Sequence, residues 1–133
     1  MAVQIVRPTT AFNDTSRSTK RPRVKEGSHL AFIRSLPCLA CGRPGPSEAA
    51  HIRMGDPRFA KRPTGGGEKP SDRWVTPLCS ECHRTGPDAQ HSRNEREWWA
   101  SRGIDAIVVA AALHAETGDH EAAAVILRHK GDA

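Results

Sequence analysis

Tyrosine is absent from this 133-residue chain, and phenylalanine and tryptophan occur only three times each. Hydrophobic residues make up 37%. A chain so short, with so few large apolar side chains, cannot bury an extensive core, so an added staple is expected. No run approaches the roughly 18 consecutive apolar residues of a membrane span. The N-terminus has no apolar segment of the secretory kind, so no export signal is expected. Internal repeats are lacking. What the chain does have is positive charge: 20 Lys and Arg against 15 Asp and Glu, a formal net charge of +5. A basic surface suits a phosphate-bearing partner.

The charge is unevenly spread. Residues 1–27 hold Arg7, Arg17, Lys20, Arg21, Arg23 and Lys25 against Asp14 and Glu26. This arm is too polar to repay ordering. It reads as a disordered solubilising tail or as an electrostatic arm that touches nucleic acid. Residues 104–133 are acidic on balance, with Asp105, Glu116, Asp119, Glu121 and Asp132 against Arg128 and Lys130. The middle, 28–103, is basic and holds every cysteine.

Local signals set out the elements. Ser28 is placed to cap a short helix through about Ser35, with Leu30, Ile33 and Leu36 on one side. Pro37 ends it. A tight turn is expected over 38–45, a short strand over 47–53 and a second over 74–78. Between the strands, Gly65-Gly66-Gly67, Pro63 and Pro70 demand mostly loop. A helical turn should begin near Ser80. Ser92 and Glu95 have capping-box spacing for a helix through Arg102, anchored by Trp98 and Trp99 and closed by Gly103. Asp105 and Asp119 cap two Ala-rich segments, which read as a helical hairpin over 104–133. Its faces, with Ile107, Val108, Ala111, Leu113, Val125 and Ile126, suit either the core of a monomer or docking of a partner or second copy.

Cys38-x2-Cys41 and Cys79-x2-Cys82 are two knuckles that use all four cysteines. A two-residue gap lets one tight turn aim both sulfurs at one ion, and Gly42 supplies backbone freedom after the first pair. Four thiolates at about 2.3 Å make a closed tetrahedral Zn²⁺ site. Binding such an ion contributes on the order of 10 kcal/mol to folding, which answers the size problem. Two disulfides or a redox pair are the competing readings. The redox reading wants a βαβ context that is missing.

Of seven histidines, His29, His114, His120 and His129 fall on predicted helices and read as packing or surface groups. His51, His83 and His91 are placed differently. A sulfur-bound zinc is coordinatively closed, so chemistry needs a second, open metal. His83 and His91 can offer it two neutral imidazoles. His51, at the end of a strand, is a candidate general base. That set suits phosphodiester hydrolysis. The competing reading is a zinc-ribbon-like binding module with spare histidines.

Together, Cys38-Leu39-Ala40-Cys41, Ala50-His51-Ile52 and the run Asp72-Arg73-Trp74-Val75-Thr76-Pro77-Leu78-Cys79-Ser80-Glu81-Cys82-His83 resemble the HNH endonucleases. More narrowly they resemble the phage and prophage group that includes the recombination-enhancement nucleases. The resemblance covers about residues 28–103. It implies an α+β fold: a small zinc-stapled ββα-metal domain with flanking helices. It further implies that His51 is the general base and that Asp72 stands at the usual Asn position, bracing the loop through its backbone. His83 binds the catalytic metal, Mg²⁺, Mn²⁺ or a second Zn²⁺, with His91 beside it across an insertion at Gly86-Pro87. Relatives often place a ligand just before the base. Here that position is Ala50, which leaves Asp56 or Asp72 as unexpected substitutes. The implied setting is the cytoplasm of a bacterial host and the implied partner is DNA. A non-catalytic zinc module that binds DNA or protein is the alternative.

Arg53, Arg58, Lys61, Arg62, Lys69 and Arg73 lie between base and second strand. They are candidates to grip phosphate without reading bases, or else form a solvated loop. No element reads as a major-groove recognition helix.

Overall fold

The computed structural model describes residues 25–65, 68 and 70–131. The basic arm up to residue 24, and Lys69, lie outside the described residues. The chain is a small mixed α+β structure built on a two-stranded sheet. Helix α1 spans Gly27–Arg34, strand β1 Glu48–His51 and strand β2 Val75–Leu78. A π-type turn, Glu81–Thr85, and a 3₁₀ turn, Gln90–Ser92, follow. Helices α2 (Glu95–Ser101), α3 (Ala106–Ala115) and α4 (His120–His129) complete the fold.

The strands are antiparallel, with Glu48 opposite Leu78 and His51 opposite Val75. A two-stranded ribbon is not stable alone, so it must be packed and its edges covered. Pro77 cannot donate a hydrogen bond, but its carbonyl accepts the Leu39 N–H at 2.8 Å. The first cysteine knuckle is thereby tied to β2.

One apolar cluster runs from Phe32 to Leu127 and takes in the sheet, both tryptophans of α2 and the hairpin. Helix α3 is apolar nearly all round, and Ile107, Val109, Ala110 and Leu113 are buried. That is the pattern of a helix packed on more than one side. The face of α4 that carries Ala123 and Leu127 packs inward. Among the described residues, the exposed large apolar side chain is Val125. The hairpin therefore shares the core with the sheet.

Two caps fall where the sequence places them. Asp105 accepts the Val108 N–H, and Asp119 accepts that of Ala122. Two do not. Glu26, not Ser28, stands at the start of α1, and Ser28 lies inside the helix. Helix α2 is capped by Asn94 through the Glu97 N–H, not by Ser92. Glu95 is drawn away from a capping box because its carboxylate accepts the backbone N–H groups of Arg53 and Met54 and the Gln90 amide. Three donors from two other segments outweigh one local bond. No helix among the described residues is long and apolar enough to cross a membrane.

Candidate metal centre and histidine cleft

The first knuckle is a turn closed by Cys38 N–H to the Arg43 carbonyl (2.8 Å) and Gly42 N–H to the Cys38 carbonyl (2.9 Å). Gly42 sits at φ +79°, in the left-handed region. The end of β2 delivers Cys79, and the π-type turn delivers Cys82. The four sulfurs lie within 4.8 Å of one another. Cys41 Sγ and Cys79 Sγ are 3.7 Å apart. Sulfurs at 2.3 Å from one tetrahedral ion would be about 3.8 Å apart, whereas a disulfide needs about 2.05 Å. The donor set is therefore compatible with a zinc site and suited to a structural metal ion. Among the described residues it is the one group of three or more metal-ligating side chains.

The thiols carry the electrostatic signature of crowded ligands. Burial, reinforced by neighbouring thiols, pushes Cys82 and Cys41 above the ordinary thiol value. At Cys79 burial also acts upward, but hydrogen bonds from Cys82 and the other thiols outweigh it and hold the group below that value. Without a cation the cluster resists becoming fully ionised. A bound ion removes that resistance.

Three histidines lie near the same ribbon, His51 on β1, His83 on the π-type turn and His91 on the 3₁₀ turn. His51 is the last residue of β1. Its Nε2–H donates to Asp72 Oδ1 at 2.9 Å. A carboxylate only accepts, so this bond puts the hydrogen on Nε2 and leaves the Nδ1 lone pair free. Asp72 is 3% exposed, and its Oδ2 accepts the Glu26 backbone N–H at 2.9 Å. Asp72 thus fixes the orientation of the His51 ring and ties it to the residue that precedes α1.

His83 lies one position past Cys82, on the π-type turn. Its Nδ1 meets Glu48 Oε1 at 2.8 Å. Glu48 also pairs with Arg84. The Arg84 hydrogen bond, with help from His83, lowers the Glu48 carboxyl to about 2 despite the opposing effect of burial. An anion on Nδ1 leaves Nε2 of His83 as the free ligand atom, the arrangement that orients metal-binding histidines. Glu48 joins the candidate site through this contact and was not singled out from the sequence; one acid in a four-residue strand carries no local signal.

The Gly86-Pro87 insertion does not separate His83 from His91. The π-type turn closes through Gly86 N–H to the Glu81 carbonyl at 2.9 Å. A Cβ at Gly86 would lie 2.7 Å from that same oxygen, so only glycine fits. Buried Ala89 and Gln90 then fold the chain back. The His83 and His91 rings meet with centroids 4.4 Å apart. Burial, then His83 and Arg84, lower the His91 pKa, which favours the neutral imidazole a metal requires. His91, His51, Arg53, Gln90, Arg93 and Glu95 line one cleft of about 320 Å³.

Ala50 is 1% exposed and packs into the core, so no ligand stands before His51. Asp56 does not replace one: it caps the 3₁₀ turn Pro57–Phe59 and holds Arg58.

The basic loop divides. Arg53 lies in the histidine cleft and donates to the Glu68 carbonyl, and Arg93, beyond the loop, joins it there while pairing with Asp88. Arg58 is paired with Asp56 and Asp105, and Arg62 with Glu68. Arg73 stacks on Trp74 at 4.7 Å. Lys61 turns inward, 9% exposed, and donates to the Met54 carbonyl. It was expected either to grip phosphate or to sit in a solvated loop; it is buried and supports the loop's own backbone instead.

A family model described as "Protein of unknown function (DUF968)" matches residues 8–117. The chain belongs to the DUF968 family. No curated protein matches it, and no solved structure does.

Proposed function

We propose that this DUF968 protein is a metal-dependent DNA endonuclease of the HNH type that hydrolyses phosphodiester bonds. One observation carries the reading: His51, oriented by a buried carboxylate, and His91, in ring contact with a carboxylate-held His83, line the same cleft. The resemblance of the Cys-His strings to phage and prophage nucleases supports it.

In this reading His51 Nδ1 takes a proton from water as the water attacks phosphorus. Asp72 holds the ring in the productive tautomer and steadies the imidazolium that forms. Arg53 and Arg93 at the cleft pair with backbone phosphates, giving position without sequence readout. A divalent cation (Mg²⁺, Mn²⁺ or Zn²⁺) on His83 and His91 would stabilise charge on the phosphate and leaving oxygens. Two imidazoles leave the rest of its shell to water and substrate. Cys38, Cys41, Cys79 and Cys82 hold a structural Zn²⁺ that keeps the β1–β2 ribbon and the π-type turn in register.

Supercoiled plasmid tests the reading. The native chain nicks it with added Mg²⁺ or Mn²⁺, and His83→Ala loses nicking while keeping its cysteine-bound zinc. DNA binding without nicking by the native chain would instead favour a non-catalytic zinc module.

A further inference from the structure

The C-terminal hairpin lies outside the zinc and histidine segment, yet it reaches the buried carboxylate behind His51. Helix α3 carries His114 near its end. The His114 Nε2–H donates to both oxygens of Glu26, at 2.8 and 3.0 Å, across 88 residues of chain. Glu26 stands at the start of α1 but does not cap that helix with its side chain. Its carboxylate is committed to His114, and its backbone N–H is the donor to Asp72 Oδ2. His114 therefore sets where Glu26 lies, and Glu26 supplies a backbone donor to the carboxylate that orients His51.

The anchor is itself held. The Thr117 hydroxyl donates to the His114 carbonyl at 2.8 Å. Having one hydrogen, that hydroxyl must accept from His29 Nδ1, 2.8 Å away. His29 is 2% exposed and its ring packs edge-on to His114, with centroids 4.9 Å apart. Two helices and a turn thus fix one imidazole, with nothing in its own surroundings that calls for chemistry.

We infer that His114, acting through Glu26, is a positioning residue for the Asp72–His51 pair, so that the C-terminal hairpin keeps the general base aligned. The inference rests on the reading of His51 as that base. With the His114 contact gone, Glu26 loses its anchor, Asp72 Oδ2 loses the fixed position of this donor, and the His51 ring is held less tightly. Arg53 and Arg93, the proposed phosphate partners, are left in place, so the loss falls on turnover and not on binding.

The test uses the full zinc-loaded chain. His114→Ala and Glu26→Ala should each lower kcat for plasmid nicking about tenfold, the scale on which lost outer partners act, with KM held within about twofold. The double variant should be no worse than either single one, because both break the same link. His114→Gln, whose amide can still donate to Glu26, should restore most of the rate. A second readout needs no activity: the His51 Nε2–H proton resonance of the DNA-free protein should shift or broaden in the two alanine variants and persist in His114→Gln. If native protein does not nick, the nuclease reading fails, while this resonance still decides the positioning link. Should His114→Ala not fold, Glu26→Ala carries the same comparison. Additive losses, a change confined to KM, or an unmoved resonance in a folded alanine variant would overturn the inference.

Discussion

Removing a metal ion bound at the four-cysteine centre should destabilise the region that positions the histidines. Cys41 and Cys79 are 38 residues apart in the chain. Cross-linking a loop of that length takes about 4 kcal/mol of conformational freedom from the unfolded chain. Small domains have net stabilities of about 5–15 kcal/mol, so losing this one contribution removes a large share of the total. At about 4 °C per kcal/mol for a domain of this size, the melting temperature should fall by about 15 °C. Direct metal–sulfur bonding adds to that figure, so it is a lower bound. The assay is a circular-dichroism melt of native, chelator-stripped and zinc-restored protein, with metal content measured on each sample. Cys82→Ser should behave like the stripped chain. A stripped sample, shown to be free of metal, that melts within about 3 °C of native would refute the argument, since a 4 kcal/mol cross-link cannot vanish so quietly.

Other consequences follow from single contacts. Glu48→Gln should lower divalent-ion-supported nicking about 10-fold or more with little change in KM for DNA, because the amide cannot hold His83 as an anion does. The same carboxyl makes an acid-sensitive bond. Its folded pKa lies near 2 against an ordinary 4.5, so the stability it contributes is full above pH 4.5 and is lost as pH falls toward 2. Acid melts of native protein should show that loss, and those of Glu48→Gln should lack it. Arg53→Ala should weaken DNA binding at all sequences and reduce the salt slope by about one. Lys61→Met should instead leave DNA affinity unchanged and lower the melting temperature, since Nζ supports the Met54 carbonyl.

What was legible in the sequence is what short-range chemistry decides. Asp105 and Asp119 cap their helices because a short carboxylate reaches the N–H three residues on, and nothing distant competes. The cysteine knuckles could be read because two-residue spacing is itself the geometry. The cap of α2 could not: Glu95 finds better donors on Arg53 and Met54, more than 40 residues away. Asp72 was expected to brace a loop and was not expected as the partner of His51, because that pairing exists only once β1 and the loop before β2 lie side by side. Lys61 in a Gly- and Pro-rich stretch reads as solvated; its burial comes from packing beside Trp74, whose ring centroid lies 5.8 Å from Nζ. His91 was harder still, since the return of the chain after Gly86 depends on the burial of Ala89 and Gln90.

The central claim is that the cleft beside β1 hydrolyses DNA by way of one imidazole. Plasmid nicking by His51→Ala, measured alongside zinc content and the melting curve, addresses it most directly. The account predicts loss of cleavage by a factor of at least about 100, the low end of general-base contributions, in a chain that keeps its zinc and its fold. Cleavage at the native rate by that folded, zinc-loaded variant would contradict it.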